Sequence, residues 1–157
     1  MLEKCRNAKE RWGGVSTIID HWLEERQKLI SLFVAIPTRK AGTVLNGSVH
    51  SFCELLMDYL SSGHFEVYEQ LLREGSEFND GSLEQAQRLL PQIQPSTDQA
   101  LDFNDTYGTF EAPTLQQLCQ LSRDLSELGE RLEERFALED QLIEILHTAH
   151  KDLAGTS

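Results

Sequence analysis

One leucine series constrains this chain more than any other feature. Leu118, Leu121, Leu125, Leu128, Leu132, Leu142, Leu146 and Ala149 recur in steps of three and four, with a single interruption after Leu132. That period puts them on one face of a long amphipathic helix. Such a seam needs other helices to cover it, and the rest of the chain supplies them. Val15, Ile18, Ile19, Trp22, Leu29, Phe33 and Ile36 form a second stripe, stopped by Pro37. Val49, Phe52, Leu56 and Tyr59 or Leu60 form a third. No stretch alternates as a strand. The pattern predicts an all-α protein, an antiparallel four-helix-bundle core with additional short helices, built as one domain from residues 1–157.

Glycine, proline and serine divide the helices. A short helix is expected over residues 3–12, ahead of Gly13 and Gly14, and a loop over 37–47. Ser61, Ser62 and Gly63 mark a break, after which Phe65, Tyr68, Leu71 and Leu72 belong to another helix or a kinked extension. Gly75 to Gly81 reads as a loop, and Ser82 as the N-cap of a short helix through Leu90. Pro91 and Pro95 bracket the start of the next helix, which runs to about Tyr107. After a loop at 105–113, Pro113 or Thr114 opens the last and longest helix, with a soft point at Gly129.

The interruption in the leucine seam is itself informative. Steps of three and four from Leu132 land on Arg135 and Glu139, which face inward and are spaced to pair. Arg26 falls in the same way inside the Trp22–Leu29–Phe33 stripe, and Asp58, His64 and Tyr68 sit beside apolar positions. Polar groups in a core are costly unless they satisfy one another. They therefore imply either an internal network that fixes helix register, or a ligand or partner site built on the same residues. The aromatic residues Trp22, Phe33, Phe52, Phe65 and Phe136, with Cys53 and Cys119, read first as core.

Charge narrows the partners. The net charge is -12, and it is unevenly spread. Residues 1–42 hold eight basic and five acidic side chains, whereas residues 43–112 hold two basic and twelve acidic. This acidity disfavours nucleic acid and anionic lipid, and leaves a solvated surface or a docking face for a basic protein. The longest apolar run, Leu29 to Ile36, is far short of the ~20 residues that span a bilayer. With three scattered cysteines and no secretory leader pattern, the expected setting is the reducing cytoplasm.

Catalytic patterns are missing. No nucleophile elbow, phosphate loop or His-Glu-x-x-His occurs. Glu144 and His147 have the Glu-x-x-His spacing of di-iron bundles, but a di-iron site needs two such pairs and only one is present. The expectation is a protein without catalytic residues, metal or cofactor. The alternatives are a metal- or small-molecule-binding sensor, or a scaffold for another basic regulator.

Three segments carry a more specific signal: ERWGGVSTIIDHWLEER (10–26), FCELLMDYLSSGHFEVYEQLL (52–72) and LEERFALEDQLIEILHTAH (132–150). Within them, Asp58 to Glu69 and Arg135 to Asp140 are the most distinctive runs. These resemble the Rsd/AlgQ family of bacterial anti-sigma regulators, with most similarity to the AlgQ branch. The resemblance implies a helical bundle that binds the primary sigma factor of RNA polymerase through that factor's C-terminal, promoter-recognising domain. It implies no direct contact with nucleic acid or membrane. Sequestered sigma would free polymerase for alternative sigma factors, with virulence or iron-uptake genes as targets. Matching the family motifs residue by residue gives Trp22, Asp58, His64, Phe65, Glu69 and Asp140 as partner-binding candidates. Arg26, Tyr68, Arg135 and Glu139 are the polar core candidates.

Overall fold

The computed structural model describes residues 17–36, 43–78, 80–109 and 113–148. Helix α1 spans Thr17–Ala35 and α2 spans Thr43–Ser62. A π-helical turn, π1 (Gly63–Val67), joins α2 to α3 (Tyr68–Ser76) without a break in the rod. Helix α4 spans Ser82–Tyr107, α5 spans Leu115–Ile143, and a second π-turn, π2 (Glu144–Thr148), follows. The described residues are all-α. The expected short helix at 3–12, and the seam positions Val15 and Ala149, lie outside them.

The four long rods run antiparallel. Trp22 meets Tyr59 and Phe33 meets Phe52 across α1 and α2. Phe52 meets Phe103 across α2 and α4, and Arg135 reaches Ser96 across α5 and α4. Each pairing runs in opposite sequence directions, as short connections between neighbours require. Leucines 121, 125, 128, 132, 142 and 146 are buried, so the seam is the core face of α5. Thr114 caps that helix: its hydroxyl accepts from the Gln117 N–H at 3.2 Å, and the Gln117 side chain returns to the Thr114 N–H.

Several punctuation marks mean something other than breaks. The predicted loop at 37–47 is shorter, because α2 already begins at Thr43 and carries Gly47 within it. Ser82 is the first residue of α4 rather than its cap; Gly81 takes that place at φ 87°, which suits a residue without Cβ. No helix ends at Leu90. α4 runs on through Pro91 and Pro95, whose rings lie on the exposed side, where carbonyls deprived of an N–H partner meet water. Ala86, Ile93, Ala100, Phe103 and Tyr107 meanwhile keep one buried face continuous along the helix.

Gly129 is no soft point either. A Cβ there would come within 2.8 Å of Phe33 Cζ, so the glycine makes room for the Phe33 ring from α1 inside an unbroken helix. Three residues read as core or stripe positions are exposed: Ile18 at 39%, Phe65 at 74%, and Cys119.

Candidate functional site

The Asp58 to Glu69 run builds two surfaces at once, one inside the bundle and one outside. The π-turn makes this possible. Tyr59 and Tyr68 are nine residues apart, which is half a turn out of phase on a straight α-helix. The extra residue of π1 brings Tyr68 round, and both hydroxyls reach Glu139 on α5. Tyr59 donates to Oε1 and Tyr68 to Oε2, each at 2.5 Å. Arg26 Nη2 adds a third donor at 3.3 Å and Arg135 Nε a fourth at 3.1 Å. Four donors fill the acceptor sites of one carboxylate.

The two guanidiniums are satisfied in turn. Arg26 Nε donates to the Tyr59 hydroxyl at 3.0 Å and Nη1 to Asp140 at 2.6 Å. Its plane lies near the Trp22 and Phe136 rings, at 5.2 and 4.9 Å from their centroids. Arg135 Nη1 donates to Ser96 and Thr97, while Nη2 donates to Tyr68 and faces His64. Burial alone would pull both arginines down; instead Tyr59, Glu139 and Asp140 hold Arg26 well above its ordinary value, and Glu139, Tyr68 and Tyr59 raise Arg135. Burial, aided by Glu139, pushes both tyrosines well up, so they serve as neutral donors. Such a layer accepts only one register, because slipping a helix by a turn would strand a buried charge.

The four polar core candidates thus come together in this layer. Sequence reasoning missed Tyr59, Ser96 and Thr97. Tyr59 was legible only as an apolar stripe position, and the hydroxyls of α4 carried no motif.

The partner-binding candidates separate. Asp58, Phe65 and Glu69 share the outer face of the α2–π1–α3 rod, beside exposed Glu54, Ser61 and Glu66. His64 is half-buried: its ring meets Tyr68 edge-on at 5.1 Å, and burial, then the nearby Arg135 charge, lowers its pKa. Asp140 is 26% exposed and is held by Arg26. Trp22 is a correction to the surface reading: at 2% exposure, stacked on Tyr59 at 4.9 Å, it is a wall of the core.

A notch beside the outer face adds residues that the motifs did not single out. Ile18, His21, Glu25, Ser62 and Glu66 line it, with Trp22 at its back. Burial raises the Glu25 pKa, His21 moderates the rise, and Asp58 and Glu66 add to it. The acidic field therefore extends from α2 onto α1.

The Glu144–His147 pair serves a different end. π2 turns His147 toward α3, where Nδ1 lies 2.8 Å from Glu74 Oε2. Among the described residues, no three His, Cys, Asp or Glu side chains converge as a metal site. No helix among them is long and apolar enough to cross a membrane.

Known proteins are similar to this chain in sequence. Residues 1–147 match the family described as regulator of RNA polymerase sigma(70) subunit, Rsd/AlgQ. Proteins named regulator of sigma D from Salmonella paratyphi B and Salmonella schwarzengrund are 34% identical over 158 residues, covering 97% of this chain and 95% of each relative. The regulator of sigma D from Salmonella newport matches to the same extent.

Proposed function

The chain belongs to the Rsd/AlgQ family of regulators of the RNA polymerase sigma(70) subunit, and from that premise we propose that it sequesters the primary sigma factor by its C-terminal, promoter-recognising domain. One observation carries the choice of surface. Glu66 and Glu69 flank a 74% exposed phenylalanine, Phe65, and exposed Asp58 and Glu54 stand about two and three turns earlier on the same rod.

The chemistry of that face suits a DNA-reading helix. A segment that contacts phosphates and bases carries lysine and arginine on one side, and carboxylates offer those groups the same sign of charge that DNA does. Phe65 is an aromatic anchor for an apolar pocket on the partner, while the acidic rim steers the approach and fixes orientation. A sigma domain held this way has its DNA-reading surface covered, so promoter DNA and core polymerase are both excluded. Polymerase is then left to alternative sigma factors, and the protein acts by binding alone.

Calorimetry with isolated domains of the primary sigma factor tests this. The C-terminal domain binds, and binding weakens as salt rises, because exposed charges are screened over about 8–10 Å near physiological ionic strength. Absence of binding to the C-terminal domain would refute the proposal.

A further inference from the structure

The bundle is closed on three sides and open on the fourth. α1 packs on α2, α2 on α4 and α4 on α5, whereas α5 and α1 stand further apart. In that gap Leu29, Ile30, Phe33 and Val34 of α1 face Gly129, Leu132 and Phe136 of α5 across an open groove of about 300 Å³. Val34 is 66% exposed at its lip, and Gly129 admits the Phe33 ring that floors it. The other lining residues form its floor and walls, so a side chain seated between α1 and α5 would meet apolar surface on both sides.

The rim says what kind of partner fits. On α5, exposed Glu133 lies one turn from Gly129, and part-exposed Asp140 one turn beyond Phe136. On α1 the rim is Gln27 and Ser31, while Lys28 lies on the other side of the helix, within the field of Glu25. Asp140 already accepts from the buried Arg26, so among the described residues the exposed rim offers the Glu133 carboxylate beside uncharged side chains and no exposed cation. A second copy of this chain related by a two-fold axis would present the same Glu133-bearing patch from both sides, in a protein of net charge -12.

We infer that the α1–α5 groove receives a basic amphipathic helix of another protein, with apolar side chains at i and i+3 or i+4 in the groove and lysine or arginine against Glu133. Leu29 to Val34 spans roughly 8 Å of helix and Gly129 to Phe136 roughly 10 Å, so the occupant lays about one and a half to two turns in the groove. This surface is distinct from the Asp58–Glu69 face and does not depend on it.

The test titrates the full chain, labelled for amide resonances, with a synthetic amphipathic peptide of about four turns. It carries leucines at i, i+4 and i+7 flanked by lysines, and a matched peptide carries glutamates instead. The lysine peptide shifts the amides of Val34, Gly129 and Glu133, and binds at least about tenfold more tightly than the glutamate peptide. Val34→Glu separates groove docking from general attraction to an acidic protein: it adds a negative charge, so it weakens docking but would strengthen non-specific binding. Glu133→Lys weakens the lysine peptide as well, and both variants keep the wild-type melting temperature because both positions are exposed. Shifts confined to other surfaces, or binding undiminished by Val34→Glu, would overturn the inference. So would sedimentation showing a wild-type dimer that Val34→Glu dissolves, since the occupant would then be a second copy.

Discussion

The inner and outer faces of the α2–π1–α3 rod come from the same twelve residues and obey opposite rules. Inside, Tyr59 and Tyr68 are buried, and each hydroxyl is committed to Glu139. Outside, Asp58, Phe65 and Glu69 stand in solvent, and a ring exposed at 74% contributes little to the folded monomer. The difference teaches that membership of a motif does not assign a role. One inserted residue at π1 decides which side chains hold the bundle and which are left for a partner.

The largest effect belongs to the inner face. Glu139→Ala removes the acceptor shared by four donors and strands two buried guanidiniums, so thermal denaturation should show a loss of ~3–5 kcal/mol. Glu133→Ala, six residues away on the exposed side of the same helix, should stay within ~0.5 kcal/mol of wild type. Equal effects would erase the distinction between the faces. Next comes Tyr68→Phe, which keeps the ring but deletes its hydroxyl; chemical denaturation should report a cost of ~1–3 kcal/mol.

Phe65→Ala sharpens the comparison from the other side. Its stability should match wild type, whereas affinity for the sigma C-terminal domain should fall by ~1–2 kcal/mol, read by calorimetry. A variant that melts early would place Phe65 in the fold instead.

The smallest effect is a pH dependence at the boundary between the faces. His64 is packed against Tyr68, and beside it lie Arg135 on α5, Thr97 on α4 and, through Arg135, Glu139. Its folded pKa is lowered below the ordinary 6.5, first by burial and then by Arg135. The unfolded chain therefore binds the proton more readily. Stability is full above the unfolded value and declines as pH falls from about 6.5 toward the folded value. Melting curves of His64→Gln between about pH 5 and 7 should be flatter than those of wild type.

Much of the fold was legible because α5 obeys a strict period and its polar exceptions, Arg135 and Glu139, stand out against leucine. What was not legible has physical causes. Pro91 and Pro95 look like helix boundaries in sequence, but their place on the exposed face of α4 is set by tertiary packing on the opposite side. Gly129 reads as weakness until Phe33 is seen against it. The π-turn has no composition of its own, so an α-helical count through Ser61–Ser62–Gly63 puts Tyr68 out of phase with Tyr59, and the three-residue steps from Phe65 to Tyr68 and Leu71 leave Phe65 looking like core. Of the candidate site, the acidic outer positions were readable from spacing and resemblance. The contribution of Glu25 and Glu66 required the notch between α1 and π1.

Asp58→Lys tests the division of the two faces most directly. The substitution reverses one exposed charge about two turns before Phe65 on the same rod and touches none of the hydrogen bonds around Glu139. Calorimetry with the isolated sigma C-terminal domain, alongside a melting curve of the same sample, should show affinity reduced about tenfold or more at an unchanged melting temperature. Binding equal to wild type, or a loss of affinity that tracks a loss of folding, would contradict the account.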